Sequence, residues 1–269
     1  MLLAVLWLQL GSALAQDRAS TFERWQRHDE GSAMQVDHQA WEGFLLNYIR
    51  PGQDGVHRLA YGEVSDRDRQ ALAGYVDAMT GVDIDIYRRP EQMAYWINLY
   101  NALMVTLVLD HYPIASIRKI ERQGAASKTG PWNRPLVVID GMSLSLNDIE
   151  HRILKPIWGD PRMHYAITCA AVGCPNLQPV PFSGSQLDRQ LSEAAMAYVN
   201  DPRCIAIENG ELHVSSLYRW NLKAFGGSER AVIEHLMAYA EPDLAMQLQS
   251  FDRLHGDRFD WRLNDVIDR

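Results

Sequence analysis

The sequence predicts an α+β fold, mostly helical with a small, mainly antiparallel sheet. Three observations carry this. Apolar residues recur mainly at three- and four-residue spacings, the mark of helices with a buried face. Strand-like runs are short and concentrated between residues 135 and 214. Two pairs of them are joined by Asp140-Gly141 and Asn209-Gly210, dipeptides suited to two-residue antiparallel hairpins. No linker-like stretch divides the chain, so residues 16–269 read as one domain.

Met1 to Ala15 is apolar, too short for the roughly 20 residues a membrane helix needs, and ends in Ala13-Leu14-Ala15. It reads as a secretory signal peptide cleaved before Gln16, although no Lys or Arg precedes the apolar run. The expected location is therefore periplasmic or secreted, with no integral membrane span left after removal of the signal.

From Thr21 to Arg50 the spacing of Trp25, Trp41, Phe44, Leu45 and Tyr48 predicts helix, with Asp37 capping the second segment. Pro51-Gly52 and Asp54-Gly55 then turn the chain. After a strand-like link from Tyr61 to Val64, Ser65 caps a helix with Leu72, Tyr75, Val76 and Met79 inward, closed by Thr80-Gly81. Arg89-Pro90-Glu91 opens the most hydrophobic helix, which is stopped by Pro113. Its apolar residues cover nearly the whole circumference, so it belongs at the centre. Asn98 and Asn101 lie one turn apart on it, and a buried amide left unpaired costs about 1–3 kcal/mol. They either tie a neighbouring loop to the core or orient a reactive group.

A polar loop follows, including Gly124 to Trp132, and then Leu136 to Ile139 and Met142 to Leu146 flank the first hairpin turn. Ser145 and Asp148 cap a helix carrying Glu150 and His151, ended by Pro156 and Gly159. Adjacent α-helical residues point about 100° apart, so these two side chains do not face each other and need partners from elsewhere. Ser185 to Asn200 reads as an amphipathic helix with Leu187, Leu191, Ala194, Ala195, Tyr198 and Val199 inward. The second hairpin, Cys204 to Val214, and a last helix, Ser228 to Tyr239, complete the elements.

Composition narrows the function. The 269 residues are 47% hydrophobic and 22% charged, with a net charge of −8, which argues against nucleic-acid binding. Phosphate-binding glycine loops, Gly-x-Ser-x-Gly and His-Glu-x-x-His are all missing from the sequence, and no cofactor is expected. Eight tryptophans and eleven tyrosines exceed what a minimal core needs.

The chemistry concentrates in His164-Tyr165-Ala166-Ile167-Thr168-Cys169-Ala170-Ala171-Val172-Gly173-Cys174-Pro175. Met163 to Cys169 reads as a buried strand, and Gly173 permits a tight turn after it. Three readings stand. Export favours a Cys169–Cys174 disulfide, with Cys204 unpaired. As a thiol site, a pleated strand separates His164 from Cys169, while Cys174 folds back toward His164. As a metal site, His-x4-Cys-x4-Cys lacks the Cys-x2-Cys knuckle, and no metal is expected.

The stretches YWINLYNALMVTLVLDHYPIASI, GPW, SLNDIEHRIL, DPRMHYAITCAAVGCPNL, SLYRWNLKAFGG and FDWRLN resemble, in order, the DUF547 family in its exported bacterial form. The likeness runs from about Val36 to Asn264. The resemblance carries over Trp96, Ile97, Asn98 and Asn101, then Glu150, His151, His164, Cys169, Cys174 and Pro175, and finally Ser216, Trp220 and Phe225. It also implies an acidic residue where this chain has Ala224. The family has no assigned activity. A central apolar helix followed by a short sheet is broadly similar to papain-like and transglutaminase-like cores. Those place a cysteine at the helix N-terminus, where this chain has Tyr95 to Asn98.

Two functions follow as expectations. One is a thiol-dependent hydrolase or acyltransferase on peptide-like amides, with Cys174 as nucleophile, His164 as base and Glu150 or Asn98 as orienter. The other is a non-catalytic envelope module that binds a peptide-like or small-molecule ligand, its recognition loop held by a Cys169–Cys174 disulfide.

Overall fold

The computed structural model describes residues 23–120 and 131–267. The signal-peptide expectation and most of the loop Gly124 to Trp132 lie outside the described residues. The architecture is α+β, mainly helical, with the strands of the described residues in three small separate sheets.

The centre is helix α3 (Arg89–Leu109), in which all residues but Arg89, Pro90 and Thr106 are buried. Helix α2 (Asp66–Thr80) packs against it, and α1 (Gln39–Tyr48) packs against α2. The Ser65 hydroxyl accepts the Asp68 amide at 3.1 Å and caps α2, whereas the N-cap of α1 is His38 rather than the expected Asp37, which accepts the Gln39 amide at 2.9 Å from one position further out. Between these helices, β1 (Ile49–Pro51) and β2 (His57–Leu59) form an antiparallel hairpin. The Tyr61 to Val64 link is a short 3-10 turn rather than extended chain.

Strands β3 (Val137–Ile139) and β4 (Met142–Leu144) pair antiparallel. Asp140 at φ 51° and Gly141 at φ 75° supply the left-handed backbone such a turn requires. Helix α4 (Leu146–Asp148) then starts on a reciprocal Ser145–Asp148 capping box. It runs through a π-helical segment, Ile149–Leu154, into α5 (Lys155–Trp158).

Met163 to Ala166 is a short helix, α6, and not the start of a strand. Every residue from Met163 to Thr168 is buried, so the stretch carries no alternation that distinguishes strand from helix. Asn101 decides its place. Its amide donates to the Ala166 carbonyl at 2.9 Å and accepts the Thr168 amide at 2.8 Å, doing what a neighbouring strand would otherwise do.

Helix α7 (Leu187–Val199) buries the six residues its pattern put inward. Strands β5 (Ile205–Glu208) and β6 (Glu211–Ser215) pair antiparallel through Asn209-Gly210, and β7 (Gly256–Arg258) adds in parallel to β6. Helices α8 (Ser216–Trp220), α9 (Glu229–Tyr239) and α10 (Pro242–Leu248) complete the fold. Two hydrophobic clusters result. The larger surrounds α3, and the smaller gathers Tyr165, the end of α7, β5, β6, Phe225 and α9. They meet along α6 and α7, which contribute residues to both. His164 stands on that seam. Among the described residues no helix is long and apolar enough to cross a membrane.

Candidate functional site

A cleft of about 340 Å³ opens where the π segment, α6, the Cys169–Pro175 loop and the C-terminal run meet. Glu150, His151, His164 and Thr168 form its polar side, with Cys169 and Pro175 beside them. Trp132, Trp220, Phe259 and Trp261 form an aromatic wall, with neighbouring ring centroids 4.7 to 5.9 Å apart. Trp220 is 54% exposed and faces solvent, while Trp132 and Trp261 are partly buried against the larger hydrophobic cluster.

The π segment sets the polar side. In an α-helix, residues five apart lie about 140° apart around the axis and cannot meet. Here the Lys155 amide bonds five residues back, to the Glu150 carbonyl, and the wider turn brings Lys155 over Glu150. Pro156 supplies a cause. It has no N–H for the Arg152 carbonyl, and its ring would clash with that carbonyl in a regular helix.

The Lys155 ammonium has three neighbours: Glu150 Oε1 at 3.1 Å, His151 Nδ1 at 3.0 Å and Asn221 Oδ1 at 2.7 Å. Its three hydrogens are thereby used. Accepting from Lys155 fixes His151 Nδ1 as unprotonated. Burial accordingly lowers the His151 pKa, with Glu150 opposing and Lys155 adding to the effect. Glu150 is the hub, 14% exposed at its side chain. His164 Nδ1 approaches it to 3.7 Å and His151 Nδ1 to 3.8 Å, so the neighbours Glu150 and His151 do share one side of the wider turn.

His164 is buried, and its Nε2 has no hydrogen-bond partner among the described residues. Burial pushes its pKa down to about 3, helped by Lys155, His151 and His235. It is neutral at ordinary pH, so the 3.7 Å approach to Glu150 is a ring dipole facing a carboxylate and not an ion pair.

Cys169 and Cys174 form a disulfide, with Cα atoms 5.9 Å apart. Cys169 lines the cleft, whereas Cys174 is 1% exposed and stands behind the lining. This corrects the expected nucleophile on two counts. A disulfide sulfur has no thiolate to attack with, and the cysteine presented to the cleft is Cys169. Asn98 is placed elsewhere as well. Its amide donates to the Phe182 carbonyl at 2.7 Å and accepts the Phe182 amide at 3.0 Å, so it ties a loop to the core and does not orient a cleft residue.

Lys155 and Asn221 escape sequence reasoning, because an i, i+5 pair is invisible while the helix is taken as regular. The signal for it was Pro156 directly after Lys155. Ala224 immediately precedes Phe225, whose ring centroid lies 5.5 Å from that of His164.

A larger, open groove of about 1220 Å³ adjoins the cleft and shares Phe259 and Trp261 with it. Three of its guanidiniums are already committed: Arg203 to Asp201, Arg258 to Glu208 and Arg262 to Asp260. The unusual chemistry is in the smaller cleft, and the site is placed there.

The fold and cleft define a mainly helical α+β domain with an aromatic and histidine-lined pocket beside a disulfide. Residues 84–199 match the family model described as a protein of unknown function, DUF547. The match includes α3, the π segment, α6 and the disulfide loop, whereas Trp220, Phe259 and Trp261 lie beyond it. No curated protein and no solved structure matches the chain.

Proposed function

We propose that this protein is an exported binding module that holds a small, peptide-like ligand in the cleft. The observation that carries the reading is the electrostatics of Glu150, Lys155 and His164. The carboxylate and ammonium balance each other at 3.1 Å, so the polar side offers hydrogen bonds without a net charge. That suits neutral amide groups flanked by apolar or planar parts, which the four aromatic rings can cover. Catalysis is disfavoured by the same geometry. A general base works best with a pKa near the operating pH, and His164 lies well below it, at about 3. The thiol-dependent hydrolase lacks its nucleophile while the disulfide stands. Export is supported by the apolar leader ending in Ala13-Leu14-Ala15 and by the disulfide, and implies a periplasmic or secreted protein that starts at Gln16.

Titrating the oxidised protein with short end-capped peptides, read through tryptophan fluorescence, tests this. Saturable quenching is expected, weakened roughly tenfold or more by Glu150→Gln, which removes the charge-balanced hub. Turnover of a peptide-like amide or ester by the oxidised protein would overturn the binding-only reading. So would quenching that Glu150→Gln leaves intact.

A further inference from the structure

The Cys169–Cys174 bridge adds little to the order of its own loop. The Val172 amide donates to the Arg262 carbonyl at 2.8 Å, and the Gly173 amide to the Asp260 carbonyl at 2.9 Å. Gly173 lies so close to this run that a Cβ there would sit 2.7 Å from the Asp260 nitrogen. Tyr198 donates to the Gly173 carbonyl at 2.7 Å, and Arg203 to the carbonyls of Val172 and Cys174 at 2.8 and 3.1 Å. These bonds tie Val172, Gly173 and Cys174 to the C-terminal run, Tyr198 and Arg203 independently of the bridge. A staple over so short a ring, on a loop otherwise tied down, is weakly explained by stability.

The two sulfurs are also unequal. Cys169 faces the cleft, and Cys174 is buried with its Sγ accepting the Ala171 amide at 3.2 Å. Thiol–disulfide exchange needs one sulfur open to in-line attack and a leaving sulfur whose negative charge is stabilised. Ala170, between them, is buried and held at φ 56°, a left-handed conformation that a non-glycine residue adopts at a cost.

We propose that this bridge is a redox-active site that oxidises thiols of a peptide-like ligand bound in the cleft, an inference that rests on the cleft being the ligand site. A ligand thiolate attacks Cys169 Sγ, the S–S bond breaks, and its electron pair goes to Cys174 Sγ, facing the Ala171 N–H. The product is a mixed disulfide between Cys169 and the ligand. A second ligand thiolate attacks the ligand sulfur of that bond, forms the ligand disulfide and releases the Cys169 thiolate. Two electrons pass from the ligand dithiol to the protein. The two protons lost by the ligand thiols are matched by two taken up by Cys169 and Cys174.

The oxidised full-length protein is incubated with reduced glutathione, and bridge opening is followed by alkylation and mass spectrometry beside the unfolding rate. Opening roughly tenfold or more faster than unfolding is expected, since an accessible bridge reacts in the native state. In parallel, oxidised glutathione is applied to Cys174→Ser and Cys169→Ser variants whose melting curves show a folded chain. Cys169 in the first acquires glutathione, and Cys174 in the second does not. Cys204, buried and bonded to Tyr218, stays unmodified and serves as an internal control. Opening no faster than unfolding, or equal labelling of Cys169 and Cys174, would overturn the proposal. Glutathione reports on the sulfur whatever the cleft binds. Fast exchange without peptide binding therefore defeats the binding reading and the ligand assigned to the bridge while leaving the bridge redox-active, and peptide binding beside an inert bridge defeats only this one.

Discussion

Two polar groups of residues lie within the same fold, one on α3 and one on the π segment, and they are built to opposite standards. Asn98 and Asn101 each both donate and accept, closing four backbone contacts at 2.7 to 3.0 Å. Glu150 and His164 lie 3.7 Å apart, and the histidine's Nε2 is left without a partner among the described residues. Burial in low dielectric makes a complete network rigid and an incomplete one costly. The complete network holds Phe182 and α6 onto the core. The incomplete one faces a cavity. Both are rich in polar residues, and only the completeness of their bonds separates scaffold from site.

The largest expected effect follows for the scaffold. Asn98→Ala removes both partners of the Phe182 backbone inside the core. At about 1–3 kcal/mol per buried group left unpaired, the loss of stability is roughly 3 kcal/mol, with Asn101→Ala similar. Denaturant titration at an unchanged m-value checks this. A loss under about 1 kcal/mol would mean that water replaces the amide and that α3 is less closed than described.

The incomplete network has a pH signature of intermediate size. Native His164 takes up its proton only near pH 3, whereas the unfolded chain does so near its ordinary value of 6.5. As pH falls through 6.5 the unfolded state binds the extra proton, so stability present above that pH is lost progressively toward 3. One such proton contributes a slope of about 1.4 kcal/mol per pH unit, or roughly 2 kcal/mol between pH 6.5 and 5. His38 and His235, each lowered to about 4 chiefly by burial, add to the same slope. His164→Asn is expected to reduce the slope by close to one proton. An unchanged slope would place His164 in contact with solvent and remove its contrast with the asparagines.

The scaffold was more legible in the sequence than the site, and locality explains why. Ser65, the Ser145–Asp148 box and the two hairpin turns act within four residues of themselves, so composition reveals them. The inward face of α7 follows from spacing alone. Placing α6 depends on Asn101, more than sixty residues away, and β7 joins β6 in parallel across α8, α9 and α10. The site inherits both difficulties. Of the expected residues, Glu150 and His164 do meet in the cleft, Asn98 belongs to the scaffold, and the cleft-facing sulfur is Cys169 rather than Cys174. A regular pleat misassigned the cysteines, and a regular helix hid Lys155.

The smallest expected effect on stability is also the sharpest test of the contrast. Trp220 is 54% exposed, and its ring meets Phe259 and Trp261 at 4.8 and 5.4 Å on the open face of the cleft. Side chains that stabilise a fold by burial leave a cavity when truncated, at about 3–5 kcal/mol for a buried tryptophan. Trp220 keeps under half of its surface covered, and Trp220→Ala should cost about 1 kcal/mol, well under the cost of a fully buried tryptophan. Peptide affinity should fall at least roughly tenfold, because an aromatic ring held in solvent at a pocket rim is a typical anchor for a ligand. Measured together, the two quantities separate the roles cleanly. A large loss of stability with unchanged affinity would make Trp220 a part of the scaffold and move the site away from the aromatic wall.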